Sequence, residues 1–167
     1  MAFGGANPSL PTRKEVRRVE LMVDLDGTLF AFGKLGKYKV FATIFNYLLS
    51  HLSFLYLLRR PNKKLVAFLE KWKDQGGKII LVSSTNKQHY SLVKTLLSKS
   101  GIPCDEIILK EKPTTPLEFK LDTLFQVSPA IIIDDDRRLL KKYSLLFGGK
   151  IRKFSFFGPW VWEKSAS

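Results

Sequence analysis

Two groups of carboxylates in this chain are crowded, and each follows an apolar run. Asp24 and Asp26 lie within Glu20–Leu29 (ELMVDLDGTL), and Asp134, Asp135 and Asp136 follow Ile131-Ile132-Ile133. Packed carboxylates repel, so one would keep its proton unless a cation stood among them. A hard divalent ion with oxygen ligands, Mg²⁺ above all, relieves that repulsion and draws in a phosphate. An ionised Asp facing such a phosphate can attack phosphorus and become an aspartyl-phosphate. The second Asp of the first pair can protonate the leaving oxygen and then activate water. Strand-end hydroxyls, here Ser83 and Ser84, would hold the phosphoryl oxygens together with Thr28 and a lysine. Thr28 can also tie the turn, and Gly27 lets the chain bend close beside a ligand. Each acidic group alone reads more readily as turn chemistry or a solvated loop. Their standing together, with a hydroxyl between them in chain order, favours chemistry.

Those side chains need a scaffold that gathers strand ends. Short apolar runs at 20–29, 78–83, 106–109, 130–133 and 151–156 read as strands. Helical spacing fills 62–75, 86–100, 116–127 and 137–147, with Pro61 as a first-turn residue and Gly76-Gly77, Gly101 and Gly148-Gly149 as stops. The alternation predicts an α/β fold with a mostly parallel sheet between two helical layers. In such sheets ligands bind at the carboxyl ends of the strands. Asp24, Ser83 and Asp134 each stand at such an end.

The series DLDGTL, IILVSS, a lysine and IIIDDD, spread over residues 20–156, resembles the haloacid dehalogenase (HAD) superfamily of Mg²⁺-dependent phosphatases. The resemblance implies a three-layer Rossmann-like fold with a small apolar helical insertion after the first strand. It implies Asp24 as nucleophile and metal ligand, and Asp26 as general acid/base whose backbone carbonyl also meets the metal. Ser83 would bind the phosphoryl group, and Asp134 and Asp135 would complete the metal site. Two lysines compete for the phosphate-binding role. Lys112 heads a Lys-Pro, and Lys120 lies on the following helix, with Lys110 a more distant candidate. The IDDDR ending resembles the phosphatase half of polynucleotide kinase-phosphatase, where the helix supplies the lysine, and this favours Lys120. Leu139 or Leu140 stands where the common form of the last motif has another acid. That leaves open which of Asp134, Asp135 and Asp136 meets the metal, and Asp136 could instead pair with Arg137 or Arg138.

The 167 residues suffice for one domain. A hydrophobic content of 45% excludes a wholly disordered chain. One cysteine, Cys104, excludes an intrachain disulfide framework and a cysteine zinc site, and fits a reducing compartment. The expected location is cytoplasmic, or peripheral at a membrane. The 28 Lys and Arg outnumber 15 Asp and Glu, a net charge of +13 that attracts polyanions. Residues 1–19 read as a flexible basic arm, 20–156 as the core, and 157–167 as a tail. Residues 36–60 read as an insertion. Within it Val40–Leu58 carries no charge and is flanked by lysines and by Arg59-Arg60. It reads as a small helical cap, as a membrane-surface or partner-facing helix, or as a span. A span would part Asp24 from Asp134. Three function classes follow. One is a phosphomonoester hydrolase acting on a nucleotide or nucleic-acid end, or on a lipid-linked or small-metabolite phosphate at a membrane surface. The others are a phosphotransferase and a non-catalytic binding module on the same fold.

Overall fold

The computed structural model describes residues 20–31, 59–154 and 159–164. The apolar runs form one six-stranded sheet in the order β5-β4-β1-β6-β8-β7. Its strands are β1 (Glu20–Asp24), β4 (Lys78–Asn86), β5 (Glu106–Lys110), β6 (Ile131–Asp134), β7 (Lys150–Lys153) and β8 (Trp160–Glu163). The first four run parallel, and β8 pairs antiparallel with both β6 and β7. A two-stranded antiparallel ribbon, β2 (Phe30–Ala31) with β3 (Arg60–Pro61), stands apart from the sheet. The helices are α1 (Lys63–Asp74), α2 (Tyr90–Lys99), α3 (Pro116–Val127) and α4 (Arg137–Phe147).

Strand alternation sorts the core into two layers. Leu21, Val23, Ile79, Leu81 and Ile133 pack against Leu65 and Leu69 of α1 and Val93, Leu96 and Leu97 of α2. Met22, Ile80, Val82 and Ile132 pack against Leu124 of α3 and Leu139, Leu140 and Tyr143 of α4. The three-layer α/β architecture is the one the alternation of runs predicts. The same parity assigns Asp24 and Asp134, which follow Val23 and Ile133, to the α3/α4 side of the sheet.

Several boundaries differ from the sequence reading. Helices α3 and α4 have the expected limits. The helix expected from 86 starts instead with a single 3-10 turn, Lys87–His89, and α2 follows it. Pro61 lies in β3, and Asn62 is the N-cap of α1, its side chain accepting from Leu65 N at 3.3 Å. The larger difference is at the C-terminal end. Trp160–Glu163, placed in a tail by the sequence, forms β8 and fills the space between β6 and β7. Phe154 N donates to Pro159 O across the mouth of the β7–β8 hairpin at 2.9 Å. Trp162 is wholly buried, edge-on to Tyr143. The segment 1–19 and the apolar stretch Val40–Leu58 lie outside the described residues. Among those described, no helix is long and apolar enough to cross a membrane.

Candidate active site

Register brings the acids together. Asp24 closes β1 opposite Val82, and Val23 is opposite Ile133 in β6, so Asp24 and Asp134 end adjacent strands on one face. Both are buried, at 2% and 1% exposure. Asp135 follows at the rim, exposed as a residue but with its carboxylate turned in over Gly27. Asp24, Asp134 and Asp135 each offer a carboxylate oxygen within 4.8 Å of the other two. This cluster of three could hold a metal ion, since all its donors are hard oxygens.

Lys120 answers the cluster from α3. It sits on the buried face of the helix with Thr123 and Leu124, three and four residues on. A capping box at Thr115, completed by Glu118, starts the helix and fixes that face. Lys120 Nζ is 2.8 Å from Asp134 Oδ2 and 2.9 Å from Asp24 Oδ1. Burial works against the ammonium, but Asp24 and Asp134 outweigh it and hold the Lys120 pKa above the ordinary lysine value. Asp24 is pushed the other way. Burial, then the charge of Asp134, raise its carboxyl well above the usual range despite Lys120. Burial and Asp134 also push Asp135 up to about 6. Both Asp24 oxygens are cut off from water; Oδ1 faces the Lys120 ammonium and Oδ2 has no hydrogen-bond partner. A buried carboxylate with an orphaned oxygen, next to two more acids, fits a divalent cation.

Asp26 is engaged separately. Its carboxylate accepts from Ser83 Oγ and, at 3.0 Å, from Thr85 Oγ1, and it forms an ion pair with the Arg59 guanidinium. Its side chain is not part of the three-acid cluster. The turn between the two acids is tight: Phe30 N donates to Leu25 O at 2.9 Å and Gly27 N to Phe30 O at 3.1 Å. Gly27 has φ +89°, and a Cβ there would stand 2.6 Å from Asp135 Oδ2. Only glycine fits both the backbone and the neighbouring acid.

The other expected residues divide. Thr28 is buried, and its hydroxyl has no hydrogen-bond partner. Ser83 is buried at the end of the apolar part of β4, its hydroxyl turned to Asp26 and also accepting from Thr85 N at 3.0 Å. Ser84 is half-buried and makes no side-chain hydrogen bond among the described residues. Lys112 is exposed in the connection between β5 and α3 and does not join the cluster, while Lys110 reaches Thr114 O at 3.2 Å. Asp136 caps α4, accepting from Arg138 N at 2.9 Å, and its backbone N donates to Asp134 Oδ1 at 2.8 Å. Leu139 and Leu140 are fully buried in the apolar layer, where an acid could not be solvated. A cleft of about 430 Å³ between α2 and β5 is lined by other residues, Tyr90, Lys94 and Cys104 among them.

The sequence does not single out Thr85, and it marks Arg59 only as a flank of the apolar stretch. Thr85 is two residues beyond Ser83 on an extended strand, so period 2 would have placed it on the same side. Arg59 carries no local signal of a role. Its burial, at 8% exposure, depends on a partner 33 positions away that no local pattern reveals.

No protein-family model matches the chain, and no curated protein matches it. Solved structures do. A chain of the Pnkp1/Rnl/Hen1 complex superposes with TM-score 0.59 at 17% identity, over 86% of this chain and 48% of that one. A chain of the Pnkp1/Rnl/Hen1 RNA repair complex gives 0.57 at 16% identity, over 78% and 40%. A hydrolase from Streptococcus pneumoniae TIGR4 gives 0.45 at 20% identity, over 73% and 85%. The chain thus spans half or less of the two RNA-repair chains. The three-layer α/β fold is thus shared with chains of that RNA repair complex.

Proposed function

We propose that the chain is a Mg²⁺-dependent phosphomonoester hydrolase working through an aspartyl-phosphate on Asp24. The observation that supports this best is the buried Asp24 carboxylate, its Oδ2 without a hydrogen-bond partner, set between Lys120 and the acids Asp134 and Asp135. Asp24, Asp134 and Asp135 would hold the Mg²⁺, with the Asp26 backbone carbonyl. When bound, the ion supplies positive charge that lets a phosphate dianion approach the carboxylates.

In this reading an Asp24 oxygen attacks phosphorus, and the P–O bond to the leaving group breaks. Asp26 gives a proton to the departing oxygen. It then takes one from the water that attacks phosphorus, so inorganic phosphate leaves and the Asp24 carboxylate is restored. Lys120 holds a phosphoryl oxygen while neutralising the acids. Thr28, with a buried hydroxyl and no other partner, donates to a second oxygen, and Ser83 and Ser84 line the same strand end. Ser83, Thr85 and Arg59 orient the Asp26 carboxylate. The net charge of +13 and the likeness to chains of an RNA repair complex support a phosphorylated nucleic-acid end as the substrate class.

The test is release of phosphate from p-nitrophenyl phosphate and from terminally phosphorylated oligonucleotides, with Mg²⁺ and with chelator. Turnover should need Mg²⁺ and fall at least a thousandfold in Asp24→Asn, as loss of a nucleophile demands. Turnover that survives either change would sink the reading.

A further inference from the structure

Trp160 opens β8 directly opposite Asp134, the acid that ends β6. Opposed residues of an antiparallel pair share a face and lie ~5 Å apart, so the indole stands beside the acid cluster. Two exposed cations converge on it. Arg137 Cζ lies 4.4 Å from the ring centroid and Lys153 Nζ 4.7 Å. The ring attracts each of them, but the two repel one another. Among the described residues neither has a carboxylate partner. Nearby cations do have such partners: Arg138 pairs with Asp136, and Arg152 with Glu163. Arg137 is also fixed by the backbone, since its N donates to Asp135 O at 3.1 Å. Unneutralised positive charge is therefore mounted on a ring that stands opposite Asp134, the acid that ends β6.

We propose that Arg137 and Lys153, carried on Trp160, form a subsite for a second phosphate of the substrate. The site lies beside the phosphoryl group that Asp24 attacks. The inference rests on the phosphomonoesterase reading and narrows it to substrates with two neighbouring phosphates. The planar guanidinium suits paired contacts to phosphate oxygens, and the ammonium adds a point charge. A second phosphate next to a terminal one occurs in two sources, the adjoining phosphodiester of a polynucleotide and a bisphosphorylated small molecule.

Calorimetric titration of the full chain, in the Asp24→Asn background that prevents turnover, tests the subsite. The ligands are the 3′- and 5′-monophosphates of adenosine, adenosine 3′,5′-bisphosphate and a terminally phosphorylated hexathymidylate. At least one two-phosphate ligand should bind about tenfold more tightly than the monophosphates. That gain should disappear in Arg137→Gln/Lys153→Gln, whose exposed positions leave the core intact. A gain confined to the hexathymidylate assigns the subsite to a polynucleotide, and a gain for the bisphosphate extends it to small molecules. Equal affinities in the starting chain, or a gain that survives the double replacement, overturn the proposal. If the wild-type chain releases phosphate from no monoester yet the gain is seen, the hydrolase reading fails and the subsite stands.

Discussion

Asp135 shows what crowding three acids does to a carboxyl. Its pKa is raised to about 6 by burial and by Asp134, above the ordinary aspartate value of ~3.9. A raised carboxyl pKa favours the unfolded chain once that chain has ionised. The penalty is absent below pH about 4, grows between 4 and 6, and is complete above 6. Asp135→Asn should therefore raise the Tm of the metal-free protein at pH 7 by about 3 °C. The gain should vanish near pH 4. Added Mg²⁺ should raise the wild-type Tm more than that of the variant, and thermal melts across pH check both. Gly27→Ala has the opposite character. Its Cβ must push Asp135 aside and strain a φ of +89°, so Mg²⁺ affinity should fall about tenfold by calorimetry. The sequence made Asp24, Asp134 and Asp135 visible because each follows an apolar strand. It could not separate Lys112 from Lys120 by chemistry, since both are lysines near the start of α3. The helix face decides, because Lys120 is in step with buried Thr123 and Leu124 while Lys112 precedes the helix.

Among elements, β8 carries the most weight for its length. It covers the edge of β6 that Asp134 terminates, and Trp162 anchors it through Nε1 to Gly148 O at 2.7 Å. Removing residues 160–167 should leave β6 with an unpaired edge and the α4 layer without its largest buried side chain. Such a chain should lose cooperative unfolding and aggregate, as seen by calorimetry and light scattering. The strand was not legible because its four residues, WVWE, follow a Gly-Pro and are too few to show a period. Its partner β6 lies about thirty residues earlier, and such long-range pairing leaves no periodic trace. By contrast α3 and α4 have the limits read from the sequence, because Thr115-Pro116 and Asp136 are local start signals. Thr115→Ala should cost about 1 kcal/mol by chemical denaturation, through loss of the capping box.

At the scale of the molecule, two apolar layers enclose the sheet, and the sheet alone sets the distance between Asp24 and Asp134. The α/β pattern was legible because the strands are short, wholly apolar and separated by amphipathic helices. The excursion after β2, residues 32–58, ends at β3. Ala31 is paired with Arg60, so the chain leaves and returns at one point. Replacing residues 32–58 with a short Gly-Ser turn should leave a cooperatively folding domain with a Tm within about 5 °C of the parent, by differential scanning calorimetry. Failure of that variant to fold would show that the excursion belongs to the core. Arg59 stands at the foot of this excursion, one peptide bond after it, and its guanidinium grips Asp26. Whatever pulls on the excursion thus also pulls on the side chain assigned to proton transfer. Sequence drift in those residues would then reach the Asp26 carboxylate while every acid of the cluster remains as it was.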